Sequence, residues 1–430
     1  MKKNMLFILL FITSELNVFS QTWTYNKLLP DSNTDAKVPK LLKNCVYIPS
    51  QKVQVNSFEG FDSLSFYLPK NRKVDGFYIS KYEVSNAEYK EFIQYVKDSI
   101  ARELVGYIKQ DIYGHYRVDF KRKVDFESPN TKEKLDAMFL SPDKRIFGRK
   151  EYDVSKFCYA LTIGDSIFSV PIYPDTLCWM HNIYGSTELA IHYLKDNRFS
   201  NYPVVGINYW QSLAYCDWKT RKINAAAEDI YFINLPTAAE WETAAGSDIY
   251  KNSNINKYPF LKSEMPGLRE LTPAYNCFSI SDEYGFTIRQ AGFDGFYYTA
   301  PVDSYKPEIS GVYNIRGNVA EWTLDTAMVL FNSEINKRAK FLQEMIQRND
   351  TFNIQQENTF LKLYRPSDVF FRLSADTLGL KGSMIVKGGS WNDSPFYLQR
   401  GVNQFYRPET QSSTIGFRYV VHRMKQEKIP

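Results

Sequence analysis

Cysteine and histidine, the residues that hold most transition metals in proteins, are scarce in this chain of 430 residues. The cysteines are Cys45, Cys158, Cys178, Cys216 and Cys277, and the histidines are His115, His181, His192 and His422. No C-x-x-C pair or Cys/His cluster occurs, which argues against a zinc site. In an oxidising compartment these cysteines allow up to two disulfides. A set of unpaired, mostly buried thiols fits the odd number at least as well.

Long apolar runs and runs of like charge are also missing. After the first twenty residues, no stretch approaches the roughly 18 to 20 apolar residues that a membrane-spanning helix needs. The 53 basic and 48 acidic residues are interleaved, so the sequence does not support nucleic-acid binding. Aromatic residues are abundant at 16% of the chain. This composition favours strands and packed irregular segments over a helical bundle.

Residues 1–20 have the form of a secretory signal peptide. Lys2 and Lys3 are followed by the apolar stretch Met5–Ile12, and a cleavage site is expected before Gln21. The mature chain then has 51 basic and 47 acidic residues, a net charge of +4. We expect it to be exported and soluble. Because the first cysteine is Cys45, we expect no lipid anchor at the cleavage site and membrane association only through partners.

Three segments carry the signature of a helix start. Their capping boxes are Ser85 with Glu88, Asn208 with Gln211, and Thr237 with Glu240. The first is followed by an apolar stripe made of Tyr89, Phe92, Ile93, Val96 and Ile100. The second places Trp210, Leu213, Ala214 and Trp218 on one face, and Gly246 is expected to end the third. Residues 77–79, 384–391 and 415–421 have strand-like composition.

Six ordered motifs carry a resemblance to a known family. They are Asp75–Phe92, Tyr202–Trp218, Leu235–Glu242, Gly317–Trp322, Lys387–Trp391 and Gly416–Arg418. Together they resemble the formylglycine-generating enzyme family, also called sulfatase-modifying factor. The resemblance extends from about Val46 to Arg423. It implies an α+β, loop-rich fold related to C-type lectins.

On this resemblance the chain is divided into a signal peptide (1–20), an N-terminal extension (21–43), a single domain (44–424) and a C-terminal tail (425–430). The domain is expected to hold insertions at about 101–200 and 325–382. Within the second insertion, residues 333–348 predict an amphipathic helix with Ile335, Leu342, Met345 and Ile346 on one side. That helix is either a partner surface or a face packed on its own domain.

The resemblance also predicts which chemistry is absent. The family enzymes hold copper(I) with two thiolates near the C-terminus, because a soft ion prefers soft ligands. In this chain Arg400 aligns with the arginine that precedes the second family cysteine. The two thiolate positions therefore fall at Phe396 and Gly401. No cysteine follows Cys277, so no copper is expected in any register. The separate helical domain with which the ergothioneine-synthase branch binds iron is missing too. We therefore expect a pseudoenzyme rather than an enzyme.

Structural calcium is implied at two positions, where the family uses hard oxygen ligands. The first candidate site consists of Asn314, Gly317, Val319 and Glu321. The second consists of Asn276, Cys277, Asp294 and Phe296, with Cys277 and Phe296 contributing carbonyl oxygens. Loops with this spacing are also common without metal, so calcium remains an open alternative at both.

Two further segments, Val96–Arg102 and Tyr173–Trp179, resemble the GldK/PorK proteins of type IX secretion and gliding motility in Bacteroidota. This branch implies a scaffold at the periplasmic side of the outer membrane, with GldN/PorN-like or translocon proteins as partners. An oligomer of this chain is one expected state. A cell-surface or secreted location is the alternative. The competing functions are a ligand- or glycan-binding module, and an enzyme with changed chemistry in a cleft formed by Tyr397, Arg400, Asn403, Arg407 and Arg418.

Overall fold

The computed structural model describes residues 40–53, 72–110, 116–164, 166–181, 186–227, 230–246, 275–277, 279–281, 287–289, 294–326, 382–393, 395–398 and 400–424. The predicted signal peptide and the predicted helix at 333–348 lie outside these residues. None of the helices in the described residues could span a bilayer.

Short strands and helices alternate along the chain. The strands are β1 (Cys45–Ile48), β2 (Gln51–Val53), β3 (Arg72–Val74), β4 (Phe77–Ser80), β5 (Ile108–Gln110), β6 (Tyr116–Val118), β7 (Cys158–Ile163), β8 (Ser166–Pro171), β9 (Ile230–Asn234), β10 (Ser279–Ser281), β11 (Thr287–Arg289), β12 (Ala320–Thr326), β13 (Met384–Lys387), β14 (Gln404–Tyr406), β15 (Ile415–Gly416) and β16 (Val420–Met424). The α-helices are α1 (Asn86–Leu104), α2 (Pro129–Leu135), α3 (Thr187–His192), α4 (Tyr209–Asn224) and α5 (Ala238–Ala245). Short 3₁₀ helices include Thr176–Met180 and Pro395–Leu398.

Two four-stranded sheets organise the core. The first has the order β1-β4-β16-β9 and is antiparallel throughout. Because β16 lies between β4 and β9, strands from both ends of the described chain stand side by side. The second has the order β14-β13-β12-β15, with β12 and β15 parallel. Among the described residues, the other strands pair two by two, as β2-β3, β5-β6, β7-β8 and β10-β11. The mixture of sheets and short helices confirms the expected α+β class.

The three predicted helix starts are confirmed. In α1, α4 and α5 the side chain of the cap residue accepts a hydrogen bond from the third backbone N–H, and the side chain of Glu or Gln at that position bonds back to the cap. Each capping box satisfies backbone groups that the first turn leaves unpaired. Gly246 ends α5 with φ of 74°, as the sequence predicted.

Aromatic side chains fill the space between α1, α4 and the first sheet. Tyr89 of α1 stacks on Tyr215 of α4 with ring centroids 5.8 Å apart, and Phe92 contacts Trp218 at 5.3 Å. Phe417 meets Tyr215 edge-on at 5.3 Å. Truncating one such buried ring, as in Phe92→Ala, removes roughly 3 to 5 kcal/mol of stability. Part of the aromatic content of the sequence therefore lies in this core.

The structure corrects several local predictions. Trp210, Leu213 and Ile100 pack against the main core as predicted but are only partly buried, and Trp210 also stacks on Phe168 of β8. The predicted strand 384–391 ends at Lys387, where Gly388 and Gly389 adopt φ of 93° and 64°. The predicted strand 415–421 is interrupted. The N–H of Ser80 bonds to the carbonyl of Tyr419 in register with the β4–β16 pairing, whereas the carbonyl of Phe417 accepts the N–H of Val84, which lies after the end of β4.

Candidate functional site

A buried lysine fixes the loop on which the predicted thiolate positions lie. Lys387, the last residue of β13, has a side chain that is 0% exposed. Its Nζ donates to Glu242 Oε1 of α5 at 2.8 Å and to Asn403 Oδ1 at 2.9 Å. It also donates to the carbonyls of Arg400 and Val402. The ammonium group thus binds the segment 400–403 to α5.

The two predicted thiolate positions lie on this loop. Phe396 is in the short helix Pro395–Leu398, and Gly401 stands between the two residues whose carbonyls bind Lys387. Arg400 donates from Nη1 to the carbonyl of Gly246 at 2.8 Å, which adds a second tie to the end of α5. The loop is therefore held by charge-assisted hydrogen bonds. Glycine provides no side chain at position 401 that could bind a metal.

Burial disfavours the thiolate form at four of the five cysteines. All five are free thiols. Burial raises the pKa of Cys45 to about 12, and it raises the pKa values of Cys158, Cys178 and Cys216 above their usual range. A thiol with a raised pKa is a poor nucleophile and a poor metal ligand at neutral pH. Within the described residues, no group of three or more His, Cys, Asp or Glu side chains has the arrangement of a metal site.

A second buried cluster joins β12 to the loop before β16. Glu321 is fully buried, and its carboxylate accepts bonds from Arg418 Nε at 2.7 and 2.8 Å. Trp241 Nε1 donates to the same carboxylate at 2.8 Å. The remaining donors of Arg418 reach the carbonyls of Ser80, Lys81 and Tyr313. Arg418 is 0% exposed, so the expectation that it lines an open cleft is wrong.

Glu83 brings another carboxylate to this cluster. It is fully buried between β4 and α1, and it accepts bonds from Asn318 Nδ2 at 2.9 Å and Asn314 Nδ2 at 3.2 Å. Burial raises the pKa of Glu83 well above its usual value, and the charge of Glu321 raises it further, while Arg418 opposes both effects. Burial likewise raises the pKa of Glu321. Two buried carboxylates thus share the guanidinium of Arg418, which compensates only one negative charge.

The first candidate calcium site overlaps this cluster. Asn314 adopts a left-handed φ of 47°, and its buried Oδ1 has no hydrogen-bond partner among the described residues. An unpartnered carboxamide oxygen fits a hard cation. Glu321, by contrast, already binds Arg418 with both oxygens. The donor set of Asn314, Gly317, Val319 and Glu321 therefore fits calcium in part, and calcium here stays a prediction.

The second candidate site adjoins the first. The carbonyl of Asn276 accepts the N–H of Asn318 at 3.0 Å, and Gly317 packs so closely on Asn276 that a Cβ would lie 2.4 Å from its oxygen. Asn276 Nδ2 donates to the carbonyl of Tyr298 at 2.7 Å. Asp294 accepts the N–H of Phe296 at 3.0 Å and the hydroxyl of Tyr305. Calcium at Asn276, Cys277, Asp294 and Phe296 also stays a prediction.

The residues proposed for a changed chemistry do not form one reactive group. Asn403 accepts a bond from Lys387, and Arg400 donates to the carbonyl at the end of α5. Arg418 instead belongs to the cluster around Glu321. Arg407 is exposed, and Tyr397 is partly buried. No nucleophile paired with a base is present among these five residues.

Comparison with known proteins identifies the family to which this architecture belongs. The model of the sulfatase-modifying factor enzyme 1-like domain matches residues 33–423. The chain belongs to the sulfatase-modifying factor family. Over 252 residues it is 25% identical to the formylglycine-generating enzyme of Mus musculus, covering 59% of this chain and 50% of that protein. It therefore matches about half the length of this relative.

Catalytic and inactive relatives both occur among the matches. The formylglycine-generating enzyme of Thermomonospora curvata is 32% identical over 125 residues, covering 29% of this chain and 34% of that protein. The inactive Cα-formylglycine-generating enzyme 2 of Mus musculus is 29% identical over 125 residues, covering 29% of this chain and 32% of that protein. The solved structure of PvdO from Pseudomonas aeruginosa is 15% identical, with a TM-score of 0.43 over 91% of this chain and 99% of PvdO.

The sequence did not predict the buried ion pair of Lys387 and Glu242 or the buried carboxylate of Glu83, although all three residues fall inside the six family motifs. The sequence feature that could have revealed the buried ion pair is a charged residue directly after the apolar strand residues Met384–Val386. Its partner could not be read, because Glu242 is 145 positions away in the sequence.

Proposed function

We propose that this sulfatase-modifying factor family member is a non-enzymatic scaffold of the type IX secretion or gliding-motility machinery at the periplasmic side of the outer membrane. The observation that carries its non-enzymatic character is the absence of any cysteine after Cys277, in a chain that keeps the motifs of the family. The inactive mouse relative supports the same reading, because its name records a family member without the activity.

The distribution of exposed apolar side chains supports a role in protein contacts. Among the described residues, 12 of the 16 exposed large apolar side chains lie in the predicted insertion at 101–200. Ile146 and Phe147 are the most exposed of these, at 67% and 94%. Exposed apolar side chains concentrated in one segment fit a role in protein contacts. We infer that this insertion contacts GldN/PorN-like or translocon partners.

Of the two segments that resemble the GldK/PorK branch, one leads into this insertion and the other lies within it. Val96–Arg102 forms the second half of α1, which leads into it. Tyr173–Trp179 enters the 3₁₀ helix Thr176–Met180, where Trp179 is 1% exposed and packs 4.7 Å from the ring of Tyr193. These segments connect the insertion firmly to the core, which suits a surface that must keep its shape when a partner binds.

The proposal is tested by affinity isolation of a chromosomally tagged copy from gently solubilised envelopes, with mass spectrometry of the co-purifying proteins. We expect secretion or gliding proteins in a large particle. The variant Phe147→Asp should lose them, whereas Ile309→Asp, which alters an equally exposed apolar residue outside the insertion, should retain them. Recovery of the tagged chain alone as a soluble monomer would contradict the scaffold role and favour the ligand-binding alternative.

A further inference from the structure

The hairpin of β7 and β8 has an unprotected edge. Its strands read Cys-Tyr-Ala-Leu-Thr-Ile and Ser-Ile-Phe-Ser-Val-Pro, without a charged residue, in a chain that is 23% charged. Proteins usually protect exposed strand edges with charged side chains, bulges or proline. Here only Pro171, at the end of β8, serves that purpose. An uncharged edge of this kind is a surface on which another strand can pair.

The hydrogen-bond pattern determines which backbone groups of β8 point away from β7. Ile172 donates its N–H to the carbonyl of Phe157 at 2.9 Å, and the register continues from Cys158 opposite Pro171 to Ile163 opposite Ser166. Hydrogen-bonded and non-hydrogen-bonded pairs alternate in an antiparallel ladder. Ile167 and Ser169 therefore belong to non-hydrogen-bonded pairs, and their N–H and C=O groups face outward. Among the described strands, β8 pairs only with β7.

The side chains of β8 show which part of the strand is anchored. Val170 is 5% exposed and is part of the core. Phe168 stacks on Trp210 of α4, with ring centroids 6.3 Å apart, yet 47% of its surface remains exposed. Ile167 is 39% exposed on the opposite face of the hairpin. The middle of β8 is thus held in place while its apolar side chains and backbone groups stay accessible.

We propose that a second copy of this chain covers this edge, with the two β8 strands antiparallel about a two-fold axis at Phe168. Ile167 of one copy then lies opposite Ser169 of the other, and each pair exchanges two N–H···O=C bonds. All four outward N–H groups of these residues are satisfied. The two Phe168 residues meet as a non-hydrogen-bonded pair, with Cα atoms about 4.5 Å apart.

Three features favour a second copy as the occupant. The outward groups of Ile167 and Ser169 are two residues apart, which is the spacing that a two-fold axis at the residue between them requires. The strand carries no charge, so two copies meet without like-charge repulsion. The exposed half of Phe168 gains an aromatic partner at the axis. Because the edge is short, we expect a dimer that dissociates on dilution.

Sedimentation velocity from micromolar to near-millimolar concentration tests this interface. The purified chain should pass from monomer to dimer. Ser169→Pro removes one outward N–H from each copy and should weaken the dimer at least about tenfold. Thr162→Pro is the matched control: Thr162 also lies in a non-hydrogen-bonded pair but on the outer edge of β7, so the dimer should persist. A monomer at every concentration, or an equal effect of the two substitutions, would overturn the proposal.

Cross-linking tests the register and does not depend on the proline variants folding. Phe168→Cys should give a disulfide-linked dimer under mild oxidation, because Cα atoms about 4.5 Å apart permit the bond. Thr162→Cys, compared under the same conditions, should not exceed the parent chain. Failure of Phe168→Cys to cross-link, while the chain dimerises, would show that another surface is used. This inference is independent of the role in secretion, so co-purification of partners does not decide it.

Discussion

Replacing Lys387 by methionine removes the charge that binds the loop at residues 400–403 to α5. Methionine keeps a similar length and packs without a polar group. Glu242 then loses its ion pair, and the carbonyls of Arg400 and Val402 and the side-chain oxygen of Asn403 each lose a donor. Glu242 is only 1% exposed, so water cannot replace the ammonium group.

The expected cost follows from the burial of the pair. Removing one partner of a buried ion pair typically costs about 3 to 5 kcal/mol, because the other charge is left uncompensated in the interior. We expect a loss in that range for Lys387→Met. The double variant Lys387→Met with Glu242→Gln also removes the uncompensated charge of Glu242. It should recover about 1 to 3 kcal/mol of the lost stability.

Urea unfolding followed by tryptophan fluorescence measures both values. Trp241 is a local reporter, since its ring centroid lies 5.5 Å from Nζ of Lys387. The control is Lys222→Met, which breaks a pair with Glu91 in which the side chains are 50% and 58% exposed. That substitution should cost less than about 1 kcal/mol. If Lys387→Met costs no more than the control, the buried pair does not hold the loop as described.

Three further predictions concern the buried clusters and the helix caps. Because the pKa of Glu83 in the folded chain is raised, the parent chain should lose stability relative to Glu83→Gln as the pH rises above about 4.5, by at most about 1.4 kcal/mol per pH unit. Unfolding at pH 5 and pH 8 checks this, and an unchanged difference would refute it. If calcium binds at Asn314, a hundredfold excess over its dissociation constant should add about 2.7 kcal/mol of stability; Asn314→Gly, which keeps the left-handed backbone, should abolish the gain seen in thermal melts. Asn208→Ala should cost about 1 kcal/mol in urea unfolding, and no loss would contradict its role as the cap of α4.

The sequence predicted local structure best where a short motif determines it. The caps at Ser85, Asn208 and Thr237 lie within three residues of their partners, so the pattern alone is sufficient. The absence of cysteine after Cys277 could also be observed directly, because it does not depend on the fold.

The buried charges could not be predicted, because they depend on contacts between distant segments. Glu321 and Arg418 are 97 positions apart, and Glu83 and Asn318 are 235 apart. The spacing of Asn314 to Glu321 suggested a calcium loop, but only the structure shows that Arg418 occupies the carboxylate of Glu321. A local pattern predicts the residue types of a site and leaves open which partner binds them.

The central claim is that this chain keeps the family fold without the family's reaction. The most direct test is to incubate the purified chain with copper(I), oxygen, a reductant and a peptide carrying the sulfatase motif, and to follow the peptide by mass spectrometry. The mouse formylglycine-generating enzyme serves as the active control. We predict that the peptide remains unchanged with this chain while the control converts it. Conversion of the peptide cysteine to formylglycine by this chain would contradict the account.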